Sequence, residues 1–222
     1  MRAGVIRFPG SNCDRDLAVA FGRAGSTVTM IWHKDTFLPA GLDIVAIPGG
    51  FSFGDYLRCG AIAARSPVMA SVRAFADKGG LVIGICNGFQ VLCEAGLLPG
   101  VLMRNARIKY ICKEVELRVE TTASLFTSRY TRGQVIRIPI AHHEGNYQAD
   151  AETLAALRAE DRIAFTYRDT PNGAAADIAG ILSENRRGLG MMPHPERLND
   201  AALGGSDGAR IFESIADSLA TA

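Results

Sequence analysis

GGLVIGICNGFQ, residues Gly79 to Gln90, is the stretch on which the reading of this chain turns. Leu81–Ile85 carries no polar side chain and does not alternate. It is short, rich in branched residues, and preceded by the breaker pair Gly79-Gly80. Such a run predicts a strand buried on both faces, as in a parallel sheet. Phe89 to Ala95 then reads as a short helix, with Gly96 at its C-terminal cap. Cys86 therefore falls between a strand end and a helix start. A residue on so sharp a turn has a strained backbone and an exposed side chain, and the flanking Gly84 and Gly88 permit it because a Cβ there would collide with neighbouring elements. The helix start also aims backbone N–H groups at whatever the sulfur attacks, and its dipole favours the thiolate. Cysteine is among the most buried residue types, so a lone Cys after an apolar run is more often core. The G-x-C-x-G frame between strand and helix turns the reading toward a nucleophile elbow with sulfur in place of oxygen.

The rest of the chain extends this pattern. Ala3–Phe8, Thr27–Trp32 and Ile44–Ile47 are further strand candidates. Between them, SNCDRDLAVAFGRAG (residues 11–25) offers Ser11, Asn12 or Asp14 as a helix cap and Gly25 as its stop. RSPVMASVRAFADKGG (residues 65–80) offers Ser66 as cap, Pro67 at the first helical position, and Val68, Val72 and Phe75 on one face. Strands alternating with helices predict βαβ units and a parallel sheet covered on both sides. The second half changes character. EVELRVE (residues 114–120) alternates, as a half-exposed strand does. QVIRIPIAHHEGNY (residues 134–147) is another strand candidate, Asp150–Ala159 a short helix, and RIAFTY, DIAGILS and LGMMPHPE an antiparallel-looking set that ends on His194. A final amphipathic helix is expected over about Gly208–Leu219. With no repeat, low-complexity tract or linker, residues 1–222 are expected to form one α/β domain with an antiparallel extension.

Composition narrows the function. The 222 residues carry a formal charge of +1, and no basic run exceeds Arg186-Arg187, so nothing calls for nucleic acid or an anionic membrane. The apolar stretch at the N-terminus is too short for a signal peptide, and no run approaches a membrane span. Five cysteines, an odd number without a C-x-x-C pair, argue against a disulfide framework or a structural zinc site and point to a reducing cytoplasm.

A cysteine nucleophile needs a base, and the base needs an orienter. Only four histidines are available. His33 has Asp35 two residues on, His142 has Glu144, and His194, in MMPHPER, has Glu196. Residues i and i+2 share a face in a strand, so each acid could hold its histidine. Spacing does not separate His194/Glu196 from His142/Glu144.

Taken together, a Cys elbow in the first half and P-H-P-E near the C-terminus resemble the class I (triad) glutamine amidotransferases. Within that class, GGFSFGDYLRCGAIA (residues 49–63), GICNGFQ (84–90), PIAHHEGNY (139–147), PNG with DIAGI (171–181) and GMMPHPER (190–197) are similar to the glutaminase subunits of phosphoribosylformylglycinamidine synthases. The resemblance spans almost the whole chain. It implies a flavodoxin-like doubly wound sheet, with Cys86 as nucleophile, His194 as base and acid, and Glu196 as its orienter. It implies an oxyanion hole from the backbone N–H groups of Gly50 and Asn87, and places Gln90 near the bound glutamine. Physically, Gly49-Gly50 after an apolar strand can bring an N–H close to the site.

The implied reaction is hydrolysis of L-glutamine to glutamate and ammonia through a γ-glutamyl thioester, with no metal or cofactor in this chain. No phosphate-binding G-x-x-x-x-G-K-[ST] is present, so the ammonia needs a partner. The resemblance implies a large synthetase subunit, using ATP and magnesium to amidate formylglycinamide ribonucleotide in purine synthesis, with a third small subunit. Loop Phe51–Gly60, with Asp55, Tyr56 and Arg58, is expected to cover the pocket or meet that partner. Cys13, Cys59, Cys93 and Cys112 are expected to be replaceable. A self-contained cysteine hydrolase or stress protein on the same fold, and a catalytically silent binding subunit, are the other readings. The first would not be expected to carry P-H-P-E, and an intact Cys, His and Glu argues against the second.

Overall fold

The computed structural model describes residues 1–220. The elements run β1 (Arg2–Arg7), α1 (Asp14–Arg23), β2 (Thr27–Trp32), β3 (Ile44–Ile47), α2 (Val68–Asp77), β4 (Leu81–Ile85), α3 (Asn87–Glu94), β5 (Val101–Met103), β6 (Ile111–Val119), β7 (Val135–His142), β8 (Asn146–Gln148), α4 (Ala151–Ala159), β9 (Ile163–Tyr167), β10 (Ile178–Leu182), β11 (Gly188–Met191) and α5 (Ala209–Ala220). Nine strands form one sheet in the order β2-β1-β3-β4-β11-β10-β9-β6-β7, and β5 pairs with β8 apart from it. The first five of that order are parallel. Counting parallel strands alone, their order is 2-1-3-4-5, the doubly wound flavodoxin-like arrangement, in which ligands bind beyond the carboxyl ends of the strands.

The core explains why the apolar runs were legible. Every residue of β3 and β4 is buried, as expected of central parallel strands with both faces covered. Helix α1 lays Leu17, Ala20 and Phe21 inward, and Phe21 meets Phe212 of α5 edge-on at 5.1 Å, a pair worth about 1 kcal/mol beyond its burial. Strand β6 alternates over its second half, as its sequence predicts.

Three expectations need correction, and one strand was not foreseen. The last apolar segment is not wholly antiparallel: β10 pairs antiparallel with β9 and β11, but β11 returns beside β4 as the fifth parallel strand. Alternation reports which faces are buried, not which strand lies alongside. Helix α1 is not capped by Ser11, Asn12 or Asp14. Cys13 occupies the cap position without a side-chain bond, and Asp14 turns instead to Arg7, 3.1 Å away. Ser66 does not cap α2 either, because its hydroxyl lies 3.4 Å from His33 Nδ1, and Pro67 stands just before the first helical residue. Strand β5, three residues long, has no signal in the sequence and is defined by its partner β8.

Candidate active site

The turn from β4 into α3 is built by close packing. Cys86 has φ 52° and ψ −106°, outside the regions an L-residue favours, at a typical cost of about 1–3 kcal/mol. The surrounding structure enforces it. A Cβ on Gly88 would stand 2.0 Å from the Ile47 carbonyl oxygen, and one on Gly84 2.5 Å from the Gly88 oxygen. Helix α3 therefore seats directly on β3 and β4, and the chain must turn sharply at Cys86. The Cys86 N–H donates to the Met191 oxygen at 2.7 Å, which ties the elbow to β11. Cys86 is only 5% exposed, so the elbow is covered here and not open as expected. Its cover is β7, whose Ala141 oxygen lies 3.7 Å from Sγ. The antiparallel extension thus curls back over the carboxyl ends of the parallel strands.

His194 enters from the segment after β11, and the expected reason for its pairing with Glu196 is not the observed one. The two do not share a strand face. Pro195–Arg197 forms a 3-10 turn that swings Glu196 back toward the ring. His194 Nδ1 lies 2.6 Å from Glu196 Oε1, and both side chains are buried. The His194 N–H donates to the Pro139 oxygen at 2.9 Å. His194 Nε2 is buried with no hydrogen-bond partner among the described residues. The His194 and Cys86 side chains meet over Gly49, where a Cβ would stand 2.7 Å from His194 Cε1 and 3.3 Å from Cys86 Cβ. Burial works against a charge on His194, but the Glu196 carboxylate and the neighbouring Cys86 hold its pKa well above that of a free imidazole.

His142 and His33 are placed differently. His142 Nδ1 lies 3.1 Å from Asn105 Oδ1, and Glu144 turns away toward Arg104 and the Cys59 thiol. Burial, with the charge on His194, drives the His142 pKa down to about 4, so it is a poor proton acceptor at neutral pH. Asp35 accepts from the Trp32 N–H, and His33 packs against Phe53 and Trp32.

Beside Cys86 lies a pocket of ≈ 270 Å³ walled by Gly50, Gln90, Asp55, His142 and Glu144 among others. Gly50 has φ 132°, and a Cβ there would meet the Asn12 backbone nitrogen at 2.6 Å. Among the described residues, neither the Gly50 nor the Asn87 N–H has a hydrogen-bond acceptor. Gln90 lines the pocket with its amide already engaged: Oε1 accepts from Asn87 Nδ2 at 2.8 Å, and Nε2 donates to the Glu144 oxygen at 2.6 Å. The expected loop does border the pocket. Phe53, Asp55 and Leu57 all have positive φ, and Arg58 clamps the loop to α3 through two bonds to Glu94 of 2.8 and 2.7 Å. Burial lifts the Asp55 carboxyl to about 6, against a hydrogen bond from Cys59 that favours its charge.

Two residues at the site carried no signal in the sequence. Cys13 lies beside the imidazole, and Arg197 NH2 lies 3.1 Å from its Sγ. Asn105, which fixes His142, also accepts from the Gly145 N–H at 3.0 Å. Among the described residues, two groups bring three ligand-type atoms within 4.8 Å of one another, Cys13–His194–Glu196 and Asp55–Cys59–Glu144. The donors of each are already joined by the His194–Glu196 and Cys59–Glu144 hydrogen bonds.

Comparison with known proteins shows the family. The family model for the CobB/CobQ-like glutamine amidotransferase domain matches residues 1–204. The chain belongs to that glutamine amidotransferase family. The phosphoribosylformylglycinamidine synthase subunit PurQ of Roseobacter denitrificans is 70% identical over 220 residues, covering 99% of each chain. The subunit of the same name from Ruegeria pomeroyi is 67% identical over the full length of both. Among solved structures, a chain of PurLQS from Thermotoga maritima superposes with a TM-score of 0.90 at 41% identity, covering 98% of each. No helix of this amidotransferase, among the described residues, is long and apolar enough to cross a membrane.

Proposed function

We propose that this chain is the glutaminase subunit of a phosphoribosylformylglycinamidine synthase. It hydrolyses L-glutamine and delivers ammonia to a synthetase subunit that amidates formylglycinamide ribonucleotide. The observation that carries the chemistry is the pairing over Gly49: a cysteine on a strained elbow beside an imidazole whose Nδ1 is held by a buried carboxylate and whose Nε2 is unpartnered. That is the arrangement of nucleophile, base and orienter that acyl transfer requires. The full-length relatives named as PurQ support the substrate and the partner.

The Cys86 thiolate attacks the side-chain amide carbon of glutamine. The developing oxyanion is met by the Gly50 and Asn87 N–H groups, whose bonding capacity is unspent among the described residues. His194 donates its proton to the departing ammonia, and Glu196 stabilises the imidazolium before that transfer. Water, deprotonated by His194, then cleaves the thioester. Gln90, with both amide atoms engaged, shapes the pocket wall beside the substrate. The chain acts as one domain and needs no cofactor, ATP and magnesium being used by the synthetase, together with a third small subunit. Five free cysteines fit a reducing cytoplasm. The test is glutamine hydrolysis by the chain with and without the synthetase subunits. Ammonia release that requires Cys86 and feeds amidation supports the reading, and absence of glutamine turnover in the assembled complex contradicts it.

A further inference from the structure

The pocket that reaches Cys86 is not the only space at the site. A second chamber, of ≈ 30 Å³, shares Gly50, Phe51 and Ala141 with it as walls. His194 lines this small chamber, whereas Cys86 lines the large pocket. The remaining walls are Asn12, Cys13, Tyr110 and Arg197. By this measure a water molecule needs roughly 10–15 Å³ and two to four polar partners. The chamber therefore takes one or two waters and is too small for an amino acid. Its polar groups are well fixed. The Cys13 thiol lies 3.3 Å from the position a Gly49 Cβ would take, the point the imidazole also abuts. It donates to Asn12 Oδ1 at 3.5 Å and faces the Arg197 guanidinium at 3.1 Å, which Asp16 holds in turn at 3.2 Å. His194 is one of the chamber's walls, and its Nε2 is buried without a hydrogen-bond partner among the described residues.

We propose that this chamber seats the hydrolytic water, and that Cys13, held by Asn12 and Arg197, is a positioning residue for the second half of the reaction. The proposal rests on the Cys86–His194 reading above. The water oxygen adds to the thioester carbonyl carbon while its proton passes to His194 Nε2. The tetrahedral adduct collapses by breaking the carbon–sulfur bond, Cys86 leaves with the electron pair, and the proton on His194 returns to the sulfur. Glutamate and free enzyme result, with no other reactant. A seat on the base's side gives water access to Nε2 once ammonia has left, without opening the substrate pocket.

The experiment compares Cys13→Val and Cys13→Ser with the unaltered chain, each assembled with its synthetase. Ammonia release is followed before the steady state, and the glutamyl adduct on Cys86 is measured by intact mass. Valine fills the chamber and removes its polar wall. Moving the attacking water by about 1 Å is expected to slow deacylation about a hundredfold. The first turnover of ammonia is then preserved and the glutamyl enzyme accumulates. The constants kcat and KM fall together, leaving kcat/KM unchanged. Cys13→Ser, which keeps a polar atom at that wall, restores most of the deacylation rate. Asn12→Ala, at an exposed residue, is expected to shift the same two readouts in the same direction, and covers the case in which valine prevents folding. A kcat/KM that falls as far as kcat, or a slow steady state without adduct, overturns the proposal. If Cys86→Ser leaves the ammonia burst intact, the nucleophile reading itself fails, and this proposal with it.

Discussion

Gly88→Ala sets two effects against each other, and the structure says which prevails. Gly88 is the second residue of α3, and in a helix alanine is favoured over glycine by about 1 kcal/mol. Propensity alone predicts a more stable protein. The added Cβ, however, would stand 2.0 Å from the Ile47 carbonyl oxygen and 2.8 Å from its carbon. A carbon and an oxygen in contact sit about 3.3 Å apart, so α3 must retreat by about 1.3 Å. The obstacle is backbone of a central strand and cannot rotate aside. Overpacking of this kind costs about 1–3 kcal/mol, which cancels or exceeds the helical gain. The retreat also carries Cys86 and the Asn87 N–H away from His194 and Gly50, and a displacement of about 1 Å at reacting atoms costs about a hundredfold in rate. Expected, then, is a melting temperature unchanged or a few degrees lower, with glutamine hydrolysis down about a hundredfold and ammonia-dependent synthesis by the complex retained. Thermal denaturation and the two nitrogen-donor assays read these outcomes. A Gly88→Ala chain that melts higher and hydrolyses glutamine at full rate refutes the packing account of the elbow.

Three further outcomes follow from the site. His194→Ala should lower glutamine turnover by orders of magnitude, as loss of a triad base does, while His142→Ala leaves labelling of Cys86 by a glutamine-like electrophile largely intact; swapped results would reverse the assignment. The low pKa of His142 has a thermodynamic consequence. Lowered from 6.5 to about 4 by burial, it makes the unfolded chain bind the proton first. Its contribution to stability is therefore fully present above pH 6.5 and lost as pH falls toward 4, by about 3 kcal/mol in all. Urea unfolding at pH 7 and pH 4.5 should show a smaller acid loss for His142→Gln than for the unaltered chain. Finally, we hypothesise that the partner sets the Gly50 turn and so completes the oxyanion hole, one donor of which is typically worth a hundred- to thousandfold in rate. Arg58→Ala, which frees the adjoining loop from Glu94, should then reduce stimulation by the synthetase while the isolated chain keeps its own rate. An isolated chain already as fast as the loaded complex would sink this idea.

The parallel half of the fold was legible because its strands are uninterrupted apolar runs. Thr27–Trp32, Ile44–Ile47 and Leu81–Ile85 fall where the sequence puts them. Neighbour relations were not legible, since β11 pairs with β4 across a hundred residues and no local pattern encodes that choice. Helix caps failed for a related reason: Ser66 and Asp14 are drawn off by His33 and Arg7, distant partners that outcompete the helix end. At the site, the elbow could be read from glycine spacing. The choice of His194 over His142 could not be read from spacing and came from resemblance. In the structure a 3-10 turn brings Glu196 onto its histidine while Glu144 points elsewhere. Cys13 was expected to be replaceable, and no local pattern marks the contact that seats it against the Gly49 turn beside the imidazole.

The central claim is that Cys86 attacks glutamine and does nothing else for the complex. The direct measurement is the rate of amidine synthesis by the complex containing Cys86→Ser, with glutamine and with ammonium as the nitrogen donor. Expected are loss of the glutamine-dependent rate to background and an ammonium-dependent rate equal to that of the unaltered complex. Equal loss with both donors would mean that Cys86 holds the assembly together, and an undiminished glutamine-dependent rate would mean that the nucleophile lies elsewhere.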